Sequence, residues 1–152
     1  MIIVYTPEGG EPRTLDARRL RASEVQIIER TADMKWAEVR EGLRAGDITS
    51  VRTVAWVLIQ RAEPALRLKD FDPFDDELVV RLDGREVEEI AAELFARLKG
   101  DPEVLVEAWA ELRDAAFDKE ACEQAIKEAQ APKDPAPAPE PETTTDGSPT
   151  AS

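Results

Sequence analysis

The chain has 152 residues and a formal net charge of −13, with 33 acidic residues, one cysteine and no histidine. A surface this acidic repels phosphate backbones and anionic lipid, which argues against nucleic-acid and membrane-surface binding. A single cysteine excludes an intrachain disulfide, and the lack of histidine removes the commonest zinc ligand and the usual nucleophile–base pairs.

The N-terminus opens with Ile2 to Thr6, a β-branched and aromatic run that predicts a strand. Gly9-Gly10 between two prolines predicts a turn, and Arg13 to Leu15 a short return strand. A hairpin alone is marginal in water, so it is expected to dock on the helices that come after it. Leu78 to Leu82 (LVVRL) supplies a candidate third strand beside it.

Ser23, with Gln26 three residues on, has the spacing of a capping box and predicts a helix start. Val25 and Ile28 mark its buried side. Asp33 is the expected N-cap of a second helix carrying Trp36, Val39 and Leu43 and stopped by Gly46. Asp47 or Thr49 opens a third, with Val51, Val54, Ala55, Leu58, Ile59 and Ala62 as its stripe and Pro64 marking its end. Trp56 and Val57 make this helix apolar nearly all round, so it is predicted to be central, with Trp56 and Leu58 buried. Arg67 to Asp76 reads as a charged loop anchored by Phe71 and Phe74.

Beyond Gly84 the pattern predicts three more helices. Val87, Ile90, Ala91, Leu94, Phe95 and Leu98 form a clean amphipathic stripe that ends at Gly100. Asp101-Pro102 is an N-cap and first-turn pair for a helix carrying Leu105, Trp109 and Leu112. Asp118 caps a last helix whose stripe, Cys122, Ala125, Ile126 and Ala129, is narrow and alanine-rich, so loose attachment is expected. Ala131 to Ser152 holds six of the eleven prolines and no large aliphatic or aromatic side chain. Such a segment cannot bury enough surface to offset its ordering entropy. The fold class expected is mainly α: a helical bundle with a small N-terminal β-hairpin and a disordered, acidic, Pro-rich tail. The expected units are a hairpin with a three-helix core over 1–82, additional helices packed on or extending from it over 83–130, and the tail over 131–152.

No motif here carries catalysis. The acidic run Asp70 to Glu77 fails as a calcium loop: counted from Asp70, the fifth, sixth and twelfth positions are Phe74, Asp75 and Arg81, where an EF-hand needs an oxygen ligand, glycine and glutamate. Glu88-Glu89 lies on the polar side of an amphipathic helix, where surface charge is the ordinary explanation. Cys122 has no histidine to activate it, and Glu120 and Glu123 beside it raise its pKa. No catalytic, cofactor or metal residues are assigned, and the chain is not expected to be an enzyme.

The tryptophans are core residues or interface anchors. Trp36, flanked by Lys35, Ala37 and Glu38, is the better interface candidate, whereas Trp56 sits inside the apolar run Val54 to Ile59. Arg52 and Arg61 bracket the central helix, and either bridge charges on its surface or contact an acidic partner. Trp36, Arg52 and Arg61 are therefore the candidate partner-binding residues.

The order of these features resembles one family. It runs from a hairpin-like start through Ser23-Glu24, Ile28-Glu29-Arg30, Trp36, Leu43 and Gly46-Asp47 to Val54-Ala55-Trp56-Val57-Leu58, Arg61, Pro64 and a Phe/Asp-rich loop. This order over residues 1 to 80 resembles the tail assembly chaperones of long-tailed (siphovirus) actinobacteriophages. The resemblance implies a non-enzymatic role in the host cell cytoplasm. Such proteins coat the aggregation-prone tape measure protein before the tail tube polymerises around it, and are absent from the mature virion. It also implies a programmed −1 frameshift making a longer form that recruits tail tube protein, with self-association left open. Ala131-Pro132-Lys133 can be encoded with a slippery heptamer at the expected place. The N-terminal segment lacks a basic region before its apolar run and so does not read as a signal peptide. The competing reading is a small acidic regulator that binds a basic host or phage protein, as a DNA mimic or inhibitor.

Overall fold

A computed structural model describes residues 1–131 of the chain. Among these, β1 (Ile2–Tyr5), β2 (Arg13–Asp16), α1 (Ala22–Ala32), α2 (Trp36–Ala45) and α3 (Ile48–Ile59) are followed by β3 (Leu78–Arg81), α4 (Gly84–Leu98), α5 (Pro102–Ala115) and α6 (Lys119–Gln130). The fold is the expected mainly helical one, with a small antiparallel sheet. The tail expected over 131–152 lies, from residue 132 on, outside the described residues.

The three strands form one sheet in the order β2-β1-β3. Ile3 faces Leu15 on one side and Val80 on the other, and Tyr5 faces Arg13 and Leu78. This register puts Ile3, Leu15 and Leu78 on the buried face, against α1, α2 and α3. A one-residue slip would carry Ile3, Leu15 and Leu78 out of this core, although Ile2, next along β1, is buried as well.

α3 is the centre of this first core: Val51, Val54, Ala55, Val57, Leu58 and Ile59 are all buried. Burying a Val, Leu or Ile side chain is worth about 1.5–3 kcal/mol, against about 0–1 kcal/mol for a surface ion pair. Packing along α3, not charge, therefore holds the 1–82 unit together. Trp56 departs from expectation. It is half-buried at the rim of the core, where its indole Nε1 donates to the Leu66 carbonyl at 3.0 Å. An indole N–H seeks an acceptor, and the loop backbone provides one only at the helix's edge.

Three helix boundaries and one loop anchor differ from the sequence reading. α1 begins before Ser23: the Arg21 N–H donates to Glu24 Oε2 at 2.6 Å, so the capping carboxylate is Glu24 and the N-cap is Arg21. Asp33 does not open α2. It closes α1 in the left-handed conformation (φ 54°), which a short polar side chain tolerates better than most, and Lys35 is the N-cap of α2. α3 ends at Ile59, which leaves Ala62 exposed in the following turn. Phe71 is buried and meets Tyr5 edge-on at 5.3 Å, but Phe74 is 67% exposed and anchors nothing.

The second core lies among α4, α5 and α6 and is built from Val87, Ala91, Trp109, Leu112, Cys122 and Ile126, with small residues between them. α6 is firmly placed: it runs along α4 and buries Cys122, Ala125 and Ile126. Its alanines allow this close approach, so the narrow stripe gives close packing between the two helices. Asp83 caps α4, accepting from Arg85 N–H at 3.0 Å and Glu86 N–H at 3.1 Å. The two cores are joined where β3 runs out. Leu82 N–H donates to Ala115 O at 2.9 Å and Phe117 N–H to Leu82 O at 3.0 Å, a parallel bridge between Leu82 and Ala116.

Candidate functional site

Of the three candidate partner residues, two are bound within the protein. Arg52 donates from Nε to Phe71 O at 2.8 Å and from Nη2 to Leu68 O at 2.9 Å, and so pins the 67–76 loop to α3. Arg61 donates from Nε to Glu24 Oε1 at 2.7 Å and from Nη2 to Glu24 Oε2 at 2.8 Å, and also to Arg19 O at 2.7 Å. The guanidinium beside Glu24 holds that carboxyl below its ordinary range despite its burial, and the Arg61 pKa rises in turn. These contacts give both arginines a structural task.

Trp36 is placed differently. As the first residue of α2, its backbone N–H donates to Glu29 Oε1 at 2.8 Å, and its half-buried ring packs against the first core. It lines a shallow pocket of about 550 Å³ with Arg18, Arg40, Arg44 and Arg85 and the carboxylates of Asp83, Glu86 and Glu89. A tryptophan among arginines is the composition enriched at energetically dominant interface positions. Here it lies on a chain whose net charge is strongly negative.

This pocket is continuous with a larger groove between the two cores, with Met1, Leu43, Arg44, Glu86 and Glu89 common to both. The groove has a volume of about 750 Å³. The α2–α3 corner, with Leu43, Ile48 and Val51, forms one wall. Ile90 of α4 and Ala115 form the other, and β3 from Leu78 to Leu82 runs along it. Ile48 is 45% exposed and Val79 37% exposed. The tight α2–α3 corner that shapes the first wall depends on Gly46, whose φ of 71° suits glycine. Its N–H donates to Leu43 O at 3.3 Å, and Asp47 then caps α3 through Ser50 N–H at 2.8 Å.

The charges around the groove are largely paired already. Arg81 donates to Asp114 O at 2.5 Å, Glu89 accepts from Arg85 at 3.0 Å, and Glu86 lies 2.8 Å from the Met1 amino group. The groove therefore offers apolar side chains and strand backbone, with Asp75 at its Leu78 end in no ion pair among the described residues. Sequence reasoning missed it because its walls come from segments some forty residues apart. The available signal was Ile48, an isoleucine outside the predicted α3 stripe. Among the described residues no helix is long and apolar enough to cross a membrane. Comparison with protein-family models, with curated proteins and with solved structures finds no match.

Proposed function

We propose that this protein is a tail assembly chaperone of a long-tailed phage, which binds the tape measure protein in the host cytoplasm and keeps it soluble while the tail tube assembles. The observation that carries this reading is the partly apolar groove between the cores, continuous with the Trp36 pocket, on a chain of net charge −13. An exposed apolar channel on a highly charged body suits holding: the channel shields an apolar client segment, and the surrounding charge keeps the complex soluble. The order of features over residues 1 to 80 supports the same family.

On this reading the role is non-enzymatic. A longer form, made by −1 slippage near Ala131-Pro132-Lys133, would keep both cores and exchange only the residues C-terminal to them, and it would recruit tail tube protein. The test is co-expression with the very long helical open reading frame expected just downstream of this gene. The chaperone should move tape measure protein from the pellet to the supernatant. An unchanged insoluble fraction overturns the proposal.

A further inference from the structure

We propose that the inter-core groove captures its client as an added β-strand on the free edge of β3. The register fixes which backbone groups are available. Thr6 N–H donates to Glu77 O at 2.9 Å, and Val4 faces Val79 and Ile2 faces Arg81. In an antiparallel ladder hydrogen-bonded pairs alternate, so Glu77, Val79 and Arg81 turn their backbone toward β1. Leu78, Val80 and Leu82 turn theirs outward, into the groove.

Leu82 confirms the phase, because its outward N–H and C=O are the ones bound to Ala115 and Phe117. Leu78 N–H is also used, donating to Asp75 O. That leaves the N–H and C=O of Val80 and the C=O of Leu78 without a protein partner among the described residues. They line a groove in which Leu43, Ile48, Val51 and Ile90 face them beside the charged Arg44, Glu86 and Glu89. Ala116 already makes one isolated parallel bridge to this edge at Leu82. A docked segment would continue that line away from Ala115, over about four or five residues at the rise of a strand.

The occupant we assign is an extended segment of another polypeptide. It has aliphatic residues at alternate positions and a lysine or arginine at the end that meets Asp75, which lines the groove beside Leu78. Backbone pairing supplies affinity, and alternate side chains reaching Ile48 and Val51 supply selectivity, as in other strand-addition sites. The exposed Asp75 carboxylate there attracts a basic flank. A second copy fits poorly, because its own β3 edge lies at the floor of the same kind of groove and two floors cannot meet. This inference rests on the client-holding reading and states how the client is gripped.

The test uses synthetic seven-residue peptides of alternating valine and lysine, titrated into the full chain with anisotropy as the readout. The unmodified peptide should bind saturably. Methylating the backbone nitrogens on one edge should weaken it at least about tenfold, as should Ile48→Glu in the protein. Ile48 is exposed, so that variant should fold. Amide exchange at Val80 should be fast in the free protein and slowed by the peptide, a readout that needs no variant. Equal binding of methylated and unmodified peptides, or no change at Val80, overturns the proposal. So does peptide-driven dissociation of a dimer, which would make a second copy the occupant. Peptide binding about tenfold tighter to a chain ending at Ala131 would assign the groove to residues 132–152 and overturn it as well. Loss of peptide binding with tape measure solubility intact removes this inference and leaves the chaperone reading standing. Peptide binding without client solubilisation does the reverse.

Discussion

Arg61 and Glu24 meet in a two-pronged pair, at 2.7 and 2.8 Å, that ties the end of α3 to the start of α1 across 37 residues of sequence. The carboxylate does two things at once, since Oε2 also accepts the Arg21 N–H that starts the helix. The Glu24 side chain is only 10% exposed and that of Arg61 39%. Removing the arginine leaves a nearly buried carboxylate short of a partner, whereas removing the carboxylate frees a guanidinium that can reach water.

Arg61→Met should therefore lower stability by about 1–3 kcal/mol, the range for hydrogen bonds to charged groups. The loss has a pH signature. The pKa of Glu24 is lowered in the fold, chiefly by the Arg61 hydrogen bond, so its contribution is present above the unfolded-state value and is lost as pH falls through the folded one. Asp16 behaves alike: its bond from Arg18 lowers its pKa to about 2. Thermal melts of the wild type should hold to about pH 4 and fall toward pH 2. The gap between wild type and Arg61→Met should be widest near neutral pH and should close in acid. A gap independent of pH would show that Arg61 acts by packing alone.

The centre and rim of α3 should respond differently. Leu58→Ala opens a cavity in the first core and should cost about 2–5 kcal/mol. Trp56→Phe keeps most of the ring's packing and loses the indole bond to Leu66 O. That carbonyl still accepts from Gln60 Nε2 at 2.8 Å, so the cost should stay below about 1.5 kcal/mol. Urea unfolding measures both. A Trp56→Phe loss equal to that of Leu58→Ala would place Trp56 in the core, where the sequence alone had put it.

These two residues show what the sequence discloses. The 3.6-residue spacing of Val51, Val54 and Leu58 made α3 legible as a helix, and the added apolar Val57 made it legible as the central one. The same was true of α4 and α5, and LVVRL was legible as a strand. What periodicity cannot carry is the partner of a polar group. Trp56, Arg52 and Arg61 each close on carbonyls or carboxylates at least ten residues away, and nothing local marks those acceptors. Cap positions failed for a related reason: Ser23 and Asp33 had suitable chemistry, but Glu24 and Glu38 supplied the carboxylates that accept the cap N–H groups. The groove was illegible because it is a gap between units, and a gap has no residues of its own.

Gly42 sets how closely α2 approaches α3. A Cβ placed on it would sit 2.9 Å from the Ser50 Cβ and closer still to the Ser50 hydroxyl. Ser50 is fully buried and lies in the first turn of α3, so neither backbone yields easily. In an open helix Gly→Ala stabilises by about 1 kcal/mol. Here Gly42→Ala should instead destabilise by about 1–3 kcal/mol through overpacking. Pairing it with Ser50→Gly should recover part of the loss, which distinguishes a steric effect from an entropic one. A stabilised single variant would mean that the two helices sit farther apart than this contact implies.

Cys122 reports on the second core. Its side chain is fully buried, and burial first, then the nearby Glu123, raises its thiol pKa. Arg113 and Lys119 oppose this without reversing it. A protonated, enclosed thiol is a poor nucleophile, so a disulfide reagent should react only when α6 leaves α4. The labelling rate then measures that opening. The α4–α6 core is the smaller of the two, with Val87 and Cys122 as its largest fully buried side chains, against Ile3, Ile28, Ile59, Val39 and Val54 in the first. It is joined to the sheet mainly through Leu82, Arg81 and the Met1 amino group. Local units with fewer buried contacts open at lower free energy than the whole chain. Labelling without denaturant should thus report an opening free energy below the global value from urea unfolding followed by circular dichroism. Added urea should raise that rate with a slope smaller than the global one. Equal free energies and equal slopes would mean that the two cores unfold as one, with the Leu82–Ala116 bridge strong enough to couple them.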